Sequence, residues 1–536
     1  MTARLRLNDD NRRWWTLGAM CFALFMVMLD NTVVNVALPS IQRDFDASLG
    51  ALEWTLNAYT LSFAVLLVTG GRLGDIYGRR RMFLFGVVVF ALSSATIGLA
   101  PSDGWLIAGR TVQGIGAAFM MPGTLSIISN TFPPEERGKA IGTWAGVSAS
   151  ALALGPVVGG WLTESVSWRA IFFLNLPIAA GAIAVTLFAA RESRDETVEP
   201  RVDVPGIAAL TIGLTALVLA LVEGNAWGWS SARILGLIAL SLVSLVAFVA
   251  IERRSPAPVV DFAFFQSRTF LGANIVAFAV SFAMLAMFFF LALYMQNVLG
   301  YSPLEAGVRF LPSTVVIIFL GPISGRLTDR IGPRPLMVAG LVFAAVSLWW
   351  LSRVTTDTTY GDLLPGFVLM GLGMGLVMSP MSTAAMNSVD RTKAGVASGV
   401  LSMSRMVGGT FGVAVLGALV ATIGRSRLDE LLPATPAATR ERLAESLGGG
   451  GVPGGAPTAV ANAVRESFVS ALGSGLQLGA AVAAVAAVAA WILIAPGGAR
   501  QTAPAAPPAP AAPGSGPVAS EAAPTFEEEP AGARSS

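Results

Sequence analysis

A chain of 536 residues that is 54% hydrophobic and 13% charged lies far from soluble domains, in which roughly 25% of residues are charged. A formal net charge of +2, with basic residues set between apolar runs and not along a stripe, excludes a nucleic-acid surface. Histidine is absent and the one cysteine, Cys21, falls inside an apolar run, which excludes an intramolecular disulfide and a cysteine metal cluster and leaves proton chemistry to carboxylates.

In chain order, a short tail (1–13) precedes an apolar run at about 15–38, long enough to span a bilayer and expected to be a retained helix. Spans at about 50–70, 82–100, 105–130, 139–163 and 170–190 complete a six-helix bundle over 14–190. A two-helix insertion (191–269) carries spans at about 205–222 and 233–251. A second bundle (270–495) follows, with spans at about 270–296, 304–325, 336–352, 362–386, 395–424 and 468–495. A long external loop, 425–467, is expected before the last span, with a short helix around 437–447 and the glycine run 448–451. The Ala/Pro-rich segment 496–536 is expected to be a disordered tail. The class is all-α integral membrane protein, with fourteen transmembrane helices. Arg72, Arg79, Arg80 and Arg81, then Arg137 and Lys139, then Arg326, Arg330 and Arg334 fall on one face, which places that face and both termini in the cytoplasm.

The segment Gly71-Arg72-Leu73-Gly74-Asp75-Ile76-Tyr77-Gly78-Arg79-Arg80 returns as Gly325-Arg326-Leu327-Thr328-Asp329-Arg330-Ile331-Gly332-Pro333-Arg334, a displacement of 325 − 71 = 254 with six of ten positions identical. Such recurrence marks a duplicated membrane protein. Asp75 is placed to cap a neighbouring helix N-terminus while pairing with an arginine, a cluster able to hold one conformation, and Asp329 repeats it. Anchoring by positive charge alone accounts for Arg80 and Arg81 but not for the carboxylates and glycines.

Asp30 is an ionisable residue inside a transmembrane run, costly there and therefore a functional candidate. Arg110 in span 4 lies at a compatible depth for pairing, either as a proton-coupling device or as a permanent structural ion pair. Glu53 and Glu223, near span ends, are secondary acidic candidates. Gly155, Pro156, Gly159 and Gly160 predict a kinked, smooth-faced span 5. Span 13 reads as its duplicate at the same displacement, Gly155 meeting Gly409, and carries Arg405, expected to snorkel to headgroups. Asn31, Asn35, Gln113, Met120 and Tyr294 are candidate cavity residues. Neither Lys139 nor Lys393 sits in a phosphate-binding loop, which excludes an ATP-driven pump.

From Trp15 to about Pro496 these motifs resemble the major facilitator superfamily. Gly71 to Arg81 looks like its loop motif, Arg110 to Gly116 like the span 4 motif linked to proton transfer, and Gly155 to Gly160 like the motif of antiporters. Leu29 to Pro39, with Trp168 to Pro177, is similar to the fourteen-helix drug:proton antiporters. The resemblance implies export of hydrophobic or amphipathic drugs against proton entry across the plasma membrane, with Asp30 and Arg110 as coupling positions and Asp75 as gating carboxylate. It implies no cofactor and no metal, a proton gradient as energy source, and a functional monomer in the lipid bilayer. Span 10 offers only Glu305 and Arg309, which disfavours divalent cations. An exporter of an endogenous metabolite, a solute importer and a membrane sensor without transport are the alternatives.

Overall fold

Apolar runs of bilayer length fold as helices because lipid offers no partner to backbone polar groups, and serine, proline and glycine set their ends. Ser102, Ser167, Ser231 and Ser267 each accept a backbone N–H from the turn that follows, and Ser302 forms a reciprocal capping box with Glu305. Gly78 and Gly332, equivalent positions of the repeat, separate consecutive helices at φ of 109° and 86°, where a Cβ would be strained.

The computed structural model describes residues 8–47, 49–195, 203–255, 258–447 and 457–496. Its helices are α1 (Asp9–Phe45), α2 (Leu49–Tyr77), α3 (Arg79–Gly98), α4 (Asp103–Thr131), α5 (Pro134–Ser165), α6 (Trp168–Ala189), α7 (Val204–Trp227) and α8 (Ala232–Glu252). There follow α9 (Arg268–Asn297), α10 (Pro303–Arg309), α11 (Leu311–Ile331), α12 (Pro333–Leu351), α13 (Tyr360–Asn387), α14 (Ala394–Leu431), α15 (Ala437–Leu447) and α16 (Thr458–Leu493).

Among the described residues twelve helices are long and apolar enough to cross a membrane. α2 and α5, with 29 and 32 residues, coincide with expected spans but are not among the twelve. Span 10 is also divided: α10 ends at Arg309, capped by Phe310, and α11 begins with Pro312 in its first turn. The loop expected at 425–467 is narrower, because α14 runs on to Leu431 and α16 starts at Thr458, with α15 between them. The glycine run 448–451 and the tail from 497 lie outside the described residues.

The packing repeats. In the first half α2 lies on α4, α3 on α4 and α6, and α1 on α5 and α6; in the second, α11 lies on α13, α12 on α13 and α16, and α9 on α14 and α16. The halves meet through α5 against α11 and α2 against α14, and α7 with α8 forms a peripheral pair whose α7 touches α2 and α14. The α3–α4 and α12–α13 crossings are closed by glycine pairs. A Cβ on Gly86 would lie 2.7 Å from the Gly116 carbonyl oxygen, and one on Gly340 2.6 Å from that of Gly373.

Leucine at Gly116 or Gly373 should destabilise the protein by about 1–3 kcal/mol through overpacking, read as a lower thermal midpoint in detergent. Alanine at Gly181, with open space beside it, should leave the midpoint unchanged. Equal midpoints for all three variants would contradict this packing.

Candidate functional site

Five helices of the first half converge on Asp30, which is 1% exposed. Its Oδ2 accepts Arg110 Nη1 at 2.5 Å, and its Oδ1 accepts the side-chain amides of Gln113 and Asn175, each at 3.0 Å. Arg110, also 1% exposed, donates further to Gln113 Oε1 at 2.6 Å and through Nε to the Thr55 carbonyl at 3.2 Å, and its guanidinium sits 4.1 Å from the Tyr59 ring centroid. Ser94 of α3 accepts from Asn175 at 2.9 Å and donates to the Phe172 carbonyl at 2.9 Å. Each carboxylate oxygen therefore has a donor, which is the condition under which a buried ion pair is tolerated.

The repeated decapeptide forms two latches between the halves at the end of the molecule rich in arginine. Asp75 accepts the backbone N–H groups of Gly395 and Val396 at 2.9 and 2.8 Å, at the N-terminus of α14. Arg79, 1% exposed, binds Asp75 Oδ1 at 2.8 and 2.5 Å and donates to the carbonyls of Arg391 and Thr392 at 2.9 and 2.5 Å. Asp329 accepts the N–H groups of Gly138 and Lys139 at 3.0 and 3.2 Å, near the start of α5. Gly71 lies against the Gly395 carbonyl and Gly325 against that of Gly138, where any side chain would collide. A Cβ on Gly74 would meet nothing closer than 3.9 Å, consistent with Thr328 at the equivalent place.

The latches are unequal. Pro333 replaces Arg79 in the second copy, and Arg334 instead lies over the Trp491 ring at 4.0 Å. The first is further braced by Asp195 N–H on the Asp75 carbonyl at 2.8 Å and by Glu192, which accepts Arg80 and Arg81 N–H groups beside Gly78. Lys393 binds Asp261 at 2.6 Å. Burial acts to raise the Asp261 carboxyl, and the Lys393 and Ala263 hydrogen bonds outweigh it and hold it below its ordinary range, so this tie stays charged at neutral pH.

The latch also corrects the register of the duplication. Gly138 corresponds to Gly395 and Gly142 to Gly399, a displacement of 395 − 138 = 257, so Gly155 corresponds to Gly412 and not Gly409. The longer connection between α13 and α14 absorbs the difference.

Gly155 and Gly159 press α5 onto Thr32 and Val33 of α1, next to Asp30; Gly160 is half-buried and the side chain of Pro156 lies outside the described residues. Asn31 is half-buried and donates to the Val27 carbonyl, while Asn35 is exposed and donates to that of Asn31. Gln113 belongs to the Asp30 cluster and not to a cavity wall. Met120 and Tyr294 are fully buried, Met120 beside Gly86 and Tyr294 donating to the Thr355 carbonyl, so neither lines an open cavity. Glu223 is buried in α7 of the peripheral pair, and Glu53 lies in α2 with its side chain outside the described residues. Arg405 does not reach headgroups, because no residue of α14 from Ala394 to Val420 is exposed.

Asn175, Ser94 and Tyr59 were not singled out from sequence. Asn175 carried the usable signal, an amide in the apolar run of α6.

Residues 20–413 match the family model described as Major Facilitator Superfamily. The chain is 36% identical to the tetracenomycin C resistance and export protein of Streptomyces glaucescens, over 89% of this chain and 91% of that protein. It is 37% identical to the multidrug resistance protein Stp of Mycobacterium tuberculosis, over 76% and 75% of the two chains. Its fold is similar to that of the proton:xylose symporter XylE, with a TM-score of 0.58 over 91% of this chain and 97% of that one; at 12% identity the likeness concerns the fold alone.

Because the first latch has an arginine and the second does not, Asp75→Asn should loosen its helix end more than Asp329→Asn. Amide hydrogen exchange at Gly395 and Val396 should accelerate by about 10–100-fold, the worth of charge-assisted bonds of roughly 1.5–3 kcal/mol. Acceleration at Gly138 and Lys139 in Asp329→Asn should be smaller; an equal or larger change there would contradict the inequality.

Proposed function

The chain belongs to the major facilitator superfamily, and from that footing we propose that it exports hydrophobic or amphipathic drugs in exchange for protons by alternating access. It is a multi-pass membrane transporter and not an enzyme. In this reading the arginine-rich end and both termini face the cytoplasm of the plasma membrane, the proton gradient supplies the energy without a cofactor, and the protein works as a monomer.

The observation that carries the proposal is the Asp30–Arg110 pair and what surrounds it. Protonating Asp30 removes the charge that holds Arg110, yet Arg110 keeps the Gln113 oxygen, the Thr55 carbonyl and the Tyr59 ring as partners. The switch therefore costs less than stranding a buried cation, and two protonation states are both tenable. With the halves latched at the arginine-rich end, protons reach Asp30 from the other side. Protonation favours the conformation in which the latches part, and deprotonation towards the cytoplasm resets the cycle. Asn175 positions the carboxylate through Oδ1 and Ser94.

In vesicles with an imposed proton gradient, Asp30→Asn should reduce gradient-driven movement of lipophilic fluorescent probes by at least about 100-fold at matched expression, the range of a lost proton-transfer group. Asn175→Ala should cost about tenfold, one hydrogen bond to a charged group, and shift the pH profile of transport. Transport unchanged in Asp30→Asn would contradict the proposal and direct attention to Glu53 or Glu223.

A further inference from the structure

Arg405 has neither an ion pair nor a hydrogen bond among the described residues, and its Nε is buried without a partner. This is unusual, since a cation at membrane depth is costly and normally answered. Asp30 and Arg110 neutralise each other, and the other charges of the spans gather towards helix ends. Among the described residues no carboxylate answers the charge of Arg405.

The packing of α14 shows where that charge points. Gly395 and Gly399 face α2, where added Cβ atoms would meet Asp75 and Val68. Gly408 and Gly412 face α9, against Phe278 and Phe282. Val400, Met403 and Val407 line an apolar cavity of about 330 Å³ shared with α7 and α8. The fourth face carries Ser398, which donates to the Pro122 carbonyl of α4 at 2.8 Å. Arg405 lies seven residues after Ser398 and seven before Gly412, about two turns and roughly 10 Å from each, so it sits where the side of α14 that meets α4 borders the side that meets α9. It is half-buried on a helix that packs against α2 and α4 of the other half.

We propose that Arg405 is the counter-ion for an acidic group of the exported molecule, so that the transporter selects lipophilic anions, carboxylates or acidic phenols, over cations. The inference rests on the export reading above and names its substrate class. A bound anion completes the hydrogen bonding of a guanidinium that the protein leaves unanswered, while a cation meets repulsion in a site of low dielectric. Selectivity then has an attractive and a repulsive component.

The test uses the full-length protein in phosphatidylcholine vesicles, which present no net anionic headgroup, with an imposed proton gradient. The probes are fluorescein, an anion near neutral pH, and a cationic rhodamine ester of the same xanthene scaffold. Wild type should prefer fluorescein. Arg405→Gln should raise its KM about tenfold, Arg405→Lys should retain most of the affinity, and Arg405→Glu should turn the preference towards the rhodamine. Size-exclusion profiles of all variants confirm folding, and Arg405→Lys supplies the comparison if the glutamine variant does not fold. An unchanged fluorescein KM in folded Arg405→Gln, a wild type that prefers the rhodamine or moves neither probe, or an anion preference that appears only after anionic lipid is added would overturn the inference. Movement of both probes without a gradient would instead contradict proton antiport while leaving the charge preference standing.

Discussion

Taking a carboxylate and a guanidinium out of water costs several kcal/mol per ion even after relaxation, and the attraction between them offsets this only when every remaining donor and acceptor is served. Asp30 and Arg110 meet that condition by recruiting Gln113 from α4, Asn175 from α6, Ser94 from α3, and Thr55 and Tyr59 from α2. The first half must therefore pack with five helices in close register around one point. The glycine contacts of α5 on Thr32 and Val33 and of α3 on α4 provide that register. Because the pair is dispensable for covering apolar surface but demanding in geometry, its presence fits a switch better than a strut.

In the proposed cycle the latches carry the state of Asp30 to the space between the halves. Each uses a carboxylate on the end of one helix to hold the positive end of another across the molecular pseudo-symmetry, Asp75 on α14 and Asp329 on α5. Backbone N–H groups are fixed donors, so a small rotation of one half removes both bonds at once, which makes the contact two-state and not gradual. Arg79 adds carbonyl contacts on the first side only. Duplication thus supplied the symmetry of the transporter, and divergence at Pro333 supplied a stronger and a weaker side.

Much of this was legible in the residues. The repeat announced two halves, Asp30 stood out in an apolar helix, and Arg110 lay at a matching depth. Gly78 and Gly332 could be read as breaks. What the residues did not disclose depends on partners far apart in the chain: that Gly138 and Gly395 provide the close approaches for the latches, that the α14 register is displaced by 257, and that Met120 and Tyr294 turn away from any cavity. Arg405 looked like a headgroup anchor only while its neighbours α2, α7, α8 and α9 were unknown.

The most direct test of the central claim is proton release on binding. Purified protein in weakly buffered detergent, with a pH indicator dye, would be titrated with a lipophilic substrate that wild type transports. The account predicts release of about one proton per bound molecule in wild type, since one carboxyl titrates, and none in Asp30→Asn. No release from wild type, or release that persists in Asp30→Asn, would contradict it.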